Sequence, residues 1–123
     1  MKLLFIFCAI FVVAFFPTII LAQFPPPSKF ECGRNEAENA FAALSVTLNC
    51  HPRLAHFNNC CIAHDKCYDN QLGRIECDNA FCNCLEMAAA GQLFCKSQAD
   101  LFCNLVRQHG GQSYADVGIR KLG

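Results

Sequence analysis

The apolar positions divide the chain into two unlike parts. From Leu3 to Phe16 they run without a charge or an amide, behind a lone basic residue at Lys2 and ahead of Pro17 and a small residue at Ala22. That layout predicts a signal peptide over residues 1–22, cut after Ala22. The rival reading is a permanent anchor, since the twenty residues from Leu3 to Ala22 are long enough for a hydrocarbon layer of about 30 Å. Pro17 and the small residue at the cut favour processing, and no later segment is apolar over that length. The remainder is expected to be soluble.

Beyond Ala22 the apolar positions become periodic. Pro25-Pro26-Pro27 imposes an extended lead-in over 23–34. Asn35 followed three residues later by Glu38 is a capping box, and Phe41, Leu44 and Leu48 keep helical spacing, which predicts a first helix over 36–48. Cys50 to Asn59 reads as a loop, because the residue before Pro52 is biased away from the helical region. A second helix over 59–72, ended by Gly73, places Cys60, His64, Cys67, Tyr68 and Gln71 on one face. A third over 78–90, ended by Gly91, turns Cys77, Phe81, Cys84, Leu85 and Ala88 inward. A fourth begins at the capping-box-like Ser97–Asp100, carries Leu101, Phe102, Leu105 and Val106, and stops at Gly110-Gly111. No run alternates long enough for a convincing strand. The pattern predicts a mainly α class, one domain over 35–111 and a flexible tail over 112–123.

Cysteine content sharpens this picture. The sequence holds 11 cysteines, and Cys8 would leave with the leader, so an even ten remain for pairing in an oxidising compartment. Ten Lys/Arg and ten Asp/Glu become nine against ten without Lys2, a net charge of −1. A near-neutral chain argues against a nucleic-acid partner, which requires a basic face.

One segment carries chemistry: Cys60-Cys61-Ile62-Ala63-His64-Asp65-Lys66-Cys67-Tyr68. His64 and Asp65 project about 100° apart from one helix, so they can line neighbouring walls of a cleft as a base and a ligand for a hard cation. A zinc site from Cys60, Cys61, His64 and Cys67 is the weaker reading, because exported thiols pair with one another. The segment resembles the active-site signature of secreted phospholipases A2. Cys77-Asp78-Asn79-Ala80-Phe81-Cys82-Asn83-Cys84 resembles the cysteine run on that family's partner helix, and the likeness covers residues 58 to 90, with weaker agreement in the first helix and around Cys95 to Cys103.

The resemblance implies a disulfide-rich phospholipase A2-like fold with two antiparallel core helices and little or no β. It implies a secreted, calcium-dependent hydrolase of the sn-2 ester of glycerophospholipids. His64 would accept the proton of the attacking water, Asp65 would bind calcium, and Tyr68 would hold the network together. The implied partner is phospholipid or a membrane surface, and a monomer is expected. Implied disulfides are Cys67–Cys84, Cys60–Cys95 and Cys50–Cys61, with Cys32, Cys77, Cys82 and Cys103 unassigned. Bridges at Cys84 and Cys95 would be mismatched to Cys60 and Cys67 by about 6 Å, so the chain should break or bulge near Gly91.

Three departures accompany the resemblance. The stretch read against the glycine-rich calcium loop, Asn49 to His56, has no glycine, so the usual loop shape is not expected there. Leu85 stands where the family often places an Asp that orients the catalytic His. Cys67 and Cys77 leave no room for the family's β-hairpin, and a short turn must join the two core helices. These departures keep open an alternative, a catalytically silent secreted binding protein on the same scaffold.

Overall fold

The structure, a computed structural model, describes residues 29–123. The expected signal peptide and the Pro25–Pro27 run lie outside the described residues. Asn35 starts the first helix as its spacing requires: its backbone is extended and its Oδ1 accepts the Glu38 N–H at 2.9 Å. Glu36 and Glu38 add negative charge to the first turn, where the helix dipole favours it. This helix, α1, spans Glu36–Cys50.

The loop expected from Cys50 to Asn59 is absent. Pro52 lies at the start of a 3-10 turn, His51–Arg53, where its missing N–H would have had no partner in any case. Helix α2, Leu54–Asp69, follows at once. Arg53 fixes the junction from the side, its Nε donating to the Ala88 carbonyl at 2.6 Å in the last turn of the next helix.

Helices α2 and α3, Arg74–Ala89, are the antiparallel core pair, joined by a tight turn in which Gln71 (φ 52°) and Gly73 (φ 101°) adopt positive φ. No strand occurs among the described residues. Two bridges, Cys60–Cys84 and Cys67–Cys77, fix the register of the pair. Seven residues separate the two cysteines on each helix, about 10.5 Å of rise on both, so the spacings match. The other bridges are Cys32–Cys61, Cys50–Cys95 and Cys82–Cys103. None of the three implied pairings, Cys67–Cys84, Cys60–Cys95 and Cys50–Cys61, occurs. The chain does break near Gly91, where Ala90 (φ 50°) and Gly91 (φ 72°) end α3 in the left-handed region. No mismatch of about 6 Å forces that break, since Cys84 and Cys95 pair elsewhere; a left-handed helix cap causes it.

Helix α4 starts at Leu93 and runs to Leu122, through the Gly110-Gly111 expected to stop it and through the residues expected to form a tail. Its second half docks on the α2–α3 turn. The Tyr114 hydroxyl accepts the Gly73 N–H at 2.9 Å, Gln71 Nε2 donates to the Tyr114 carbonyl at 3.0 Å, and Arg74 Nη2 donates to the Arg107 carbonyl at 2.6 Å. A Cβ on Gly118 would lie 2.6 Å from Gln71 Oε1. Gly111, Tyr114 and Gly118 share one face by helical spacing, so these glycines mark close approach rather than termination.

The core gathers Val46, Phe57, Leu85, Cys77 and Cys95, all essentially inaccessible, with Phe57 edge-on to Phe102 at 6.1 Å. The inner face expected for α3 is buried as expected. By contrast, Phe41, Leu44 and Leu48 face outward, with 74%, 54% and 75% exposure, and α1 packs through Ala42, Ala43 and Val46. Helical spacing identified the helix without identifying its inner face, because small residues let α1 lie close to its neighbours.

Candidate active site

The α2–α3 register decides what His64 meets. In that register Asp78, the residue after Cys77, lies between His64 and Tyr68. Its Oδ1 is 2.8 Å from His64 Nε2 and accepts the Tyr68 hydroxyl at 2.7 Å. His64 and Asp78 are 9% and 3% exposed. Asp78 Oδ2 faces Arg74 Nε at 3.5 Å, an ion pair that offsets the cost of a buried carboxylate. The His64 ring packs against Tyr68 at 4.2 Å and Phe81 at 4.6 Å, tilted by 46° and 37° to them. Burial, then the bond to Asp78, raises the Tyr68 phenol above its ordinary range, so it stays a donor.

A carboxylate on Nε2 selects the tautomer with the proton there and leaves Nδ1 as the free acceptor. Among the described residues Nδ1 has no hydrogen-bond partner. His64 lies in the wall of a cleft of about 530 Å³ between α1 and α4. Ala37, Phe41, Ala42, Phe81, Leu105 and Val106 make its apolar walls. Glu31, Gly33, Arg34, Glu38, Asp65, His109 and Ser113 are its polar lining.

At the mouth, Cys32–Cys61 draws the segment Glu31–Arg34 over the start of the signature. Its N–H groups are tied to side chains: Glu31 N donates to Asn58 Oδ1 at 2.7 Å, Gly33 N to Asn39 Oδ1, and Arg34 N to Glu38 Oε2 at 2.9 Å. Asp65 borders the open cleft. The protein packed round it, then the charges of Glu31 and Asp69, push its carboxyl up to about 6.

No family profile matches the chain, and no solved structure matches it. Among curated proteins it is 37% identical, over 106 residues, to a phospholipase A2-like protein of Caenorhabditis elegans. The chain belongs among the phospholipase A2-like proteins. The match takes in 83% of this chain and 61% of that relative's length.

For a phospholipase A2-like protein the arrangement corrects the reading of two departures. A carboxylate does face His64, that of Asp78 and not one from position 85. Leu85 is fully buried beside Cys84, level with Cys60 and a turn away from His64. Helical arithmetic held the missing signal: Asp78 precedes Leu85 by seven residues, two turns along the same face. Starting α3 at Asp78 made that residue a cap, whereas the helix begins at Arg74 and carries Asp78 inside.

The stretch read against the calcium loop forms no loop. Asn49 to His56 is helical throughout, so its carbonyls serve helices. Because Cys61 pairs with Cys32, the segment beside Asp65 is Glu31–Arg34, which contains Gly33. Calcium requires hard oxygen donors. The Asp65 and Glu31 carboxylates fit that requirement, as do the carbonyls of 31–34, which accept no hydrogen bond from the described residues. Side chains alone do not suffice, since no cluster of three ligating side chains occurs among the described residues. A cation here would have to recruit the backbone.

Aromatic residues outside the cleft divide between core and surface. Phe30 and Phe57 belong to the core, and Phe94 is exposed. No helix among the described residues is long and apolar enough to cross a membrane.

Proposed function

We propose that this chain is a secreted, calcium-dependent hydrolase of the sn-2 ester of glycerophospholipids. The single observation that supports this most strongly is the Asp78–His64 pair, at 2.8 Å, on the wall of an apolar cleft. His64 Nδ1 takes the proton of a water as it attacks the ester carbonyl, and Asp78 steadies the imidazolium that results. Tyr68 donates to the same carboxylate oxygen, so the carboxylate is held in place and the imidazole keeps one tautomer and one angle. Phe41, Leu105 and Val106 hold an acyl chain and exclude water. Asp65, Glu31 and the carbonyls of 31–34 are the residues that would hold calcium; when bound, the ion supplies positive charge to the developing oxyanion.

The proposed partner is a phospholipid surface. Phe41 and Leu105 flank the cleft, and the exposed Leu44, Leu48 and Leu101 continue those two helix faces away from it. The relative's name supports lipid chemistry, and five disulfides suit an exported protein that meets detergents and proteases.

The test uses phospholipid labelled separately at its two acyl chains, with the purified, fully oxidised protein in millimolar calcium and in chelator. Release of the sn-2 label in calcium and its collapse in chelator support the proposal. Calorimetry should show calcium binding that disappears in Asp65→Asn. Oxidised protein that binds no calcium at millimolar concentration and releases neither label overturns it.

A further inference from the structure

We infer that Gly110 of α4 is a positioning residue for the His64–Asp78–Tyr68 network, keeping Tyr68 on Asp78 by leaving its hydroxyl a space that no side chain can share. Gly110 is buried in the middle of a helix, a place where glycine is a poor choice on propensity alone. A Cβ built there would overlap the Tyr68 hydroxyl and come within 3.5 Å of its Cζ and 3.8 Å of Asp78 Oδ1. The helix has no chemistry of its own at this point. What it contributes is the absence of an obstacle.

Three features make Tyr68, not α4, the part that yields. First, α4 is fastened on both sides of Gly110. Cys82–Cys103 anchors it before the glycine, and Arg74 Nη2 holds the Arg107 carbonyl at 2.6 Å. After the glycine, Tyr114 is bonded through its hydroxyl to Gly73 N and through its carbonyl to Gln71. Second, α4 already lies close against Arg74 at the next residue, whose guanidinium Nη1 is 3.1 Å from the point where a Cβ on Gly111 would stand. Third, the Tyr68 ring is confined by His64 at 4.2 Å and Tyr114 at 5.0 Å, so it can move only by swinging its hydroxyl away from Asp78. That motion removes one of the two bonds that fix Asp78 Oδ1, and with it the alignment of the carboxylate on His64.

Gly110→Ala is the variant to make, alone and in a Tyr68→Phe background. Two readouts are needed, and only the first rests on the hydrolytic reading above. In the sn-2 assay Gly110→Ala should lower kcat about tenfold, as for one lost buried hydrogen bond, with KM within about twofold. In the Tyr68→Phe background, where the overlapping oxygen is gone, the same change should cost nothing further. The second readout is ultraviolet titration of tyrosinate, which is clean because the chain has two Tyr and no Trp. Wild-type protein should hold back one tyrosine to high pH, the one lost in Tyr68→Phe, and Gly110→Ala should release it at lower pH.

Wild-type kcat and wild-type titration in Gly110→Ala would overturn the inference. So would an equal loss of activity in both backgrounds, which would place the effect in α4 itself. If Gly110→Ala does not fold, the double variant decides: folding restored by removing the hydroxyl supports the inference, and continued misfolding overturns it. If the wild-type protein hydrolyses nothing, the titration still judges Gly110 on its own, so failure of the two readings can be told apart.

Discussion

The floor of the cleft and its mouth are built on opposite principles. At the floor, His64, Asp78 and Tyr68 come from two helices locked in register by Cys60–Cys84 and Cys67–Cys77, and the shared carboxylate oxygen is fully engaged. At the mouth, Asp65 and Glu31 repel each other although Lys29 pairs with Glu31 at 3.3 Å. Carbonyls of a short irregular segment there accept from no donor among the described residues, and the Cys32–Cys61 bridge with bonds to Asn58, Asn39 and Glu38 holds the segment in place. The floor is complete as it stands. The mouth carries an excess of oxygen and negative charge that a hard cation would relieve. Rigid helices suit a base whose angle must be fixed, and an irregular segment suits a ligand set that must close on something arriving from solution.

The comparison breaks most sharply at the imidazole. His64→Gln keeps the size and polarity of the floor but removes its base, and sn-2 hydrolysis should fall between about a hundredfold and ten-thousandfold with the circular dichroism unchanged. Leu85→Asp tests whether the orienting carboxylate could equally have come from two turns along. Leu85 is fully buried and Asp78 already occupies the place beside His64, so this change should cost about 3–5 kcal/mol in urea denaturation and give no gain in rate.

At the rim the expected effects are smaller. Phe41→Asp should reduce hydrolysis of vesicles by roughly tenfold and that of a dispersed, monomeric ester by less, because Phe41 lines the acyl cleft and also meets the lipid surface. The smallest effect expected is on the stability of the calcium-free protein, where it comes from Asp65. Its carboxyl titrates near 6 in the folded protein and lower when unfolded, so the folded state binds the extra proton. Calcium-free wild-type protein should therefore lose stability as pH rises from about 4 to about 6, and Asp65→Asn should abolish that slope. At neutral pH the variant should be more stable by about 1 kcal/mol, a figure reduced for the partial exposure of the group.

Much of this was legible in the sequence, for physical reasons that also explain the failures. The N-cap at Asn35, the short α2–α3 turn and the inner face of α3 follow from local rules, and the structure keeps them, except that Glu38 takes the Arg34 N–H instead of closing a capping box on Asn35. The fold class and the family follow from cysteines, His64 and Asp65 at fixed spacing. Disulfide partners did not follow, because pairing depends on which helices cross, and spacing on one helix is silent about that. Two larger differences go with it: Cys61 pairs with Cys32, which brings Glu31–Arg34 and not residues 49–56 beside Asp65, and Cys84 pairs with Cys60, which brings Asp78 and not residue 85 against His64. Matching the seven-residue interval between Cys60 and Cys67 to that between Cys77 and Cys84 would have recovered the second pairing. The long α4 was hidden by Gly110-Gly111, where the usual stop signal serves packing against Tyr68 and Arg74 instead.

The claim that the floor is a preassembled base rests on Asp78, and Asp78→Asn tests it most directly. The amide keeps the shape of the carboxylate and still meets Tyr68, but it no longer draws the proton of His64 to Nε2. The measurement is the rate of sn-2 release from phospholipid in millimolar calcium, with calcium binding and thermal unfolding recorded on the same samples. The account predicts a loss of at least about a hundredfold in kcat with calcium binding at the mouth unchanged. A variant that hydrolyses phospholipid at the wild-type rate would contradict it.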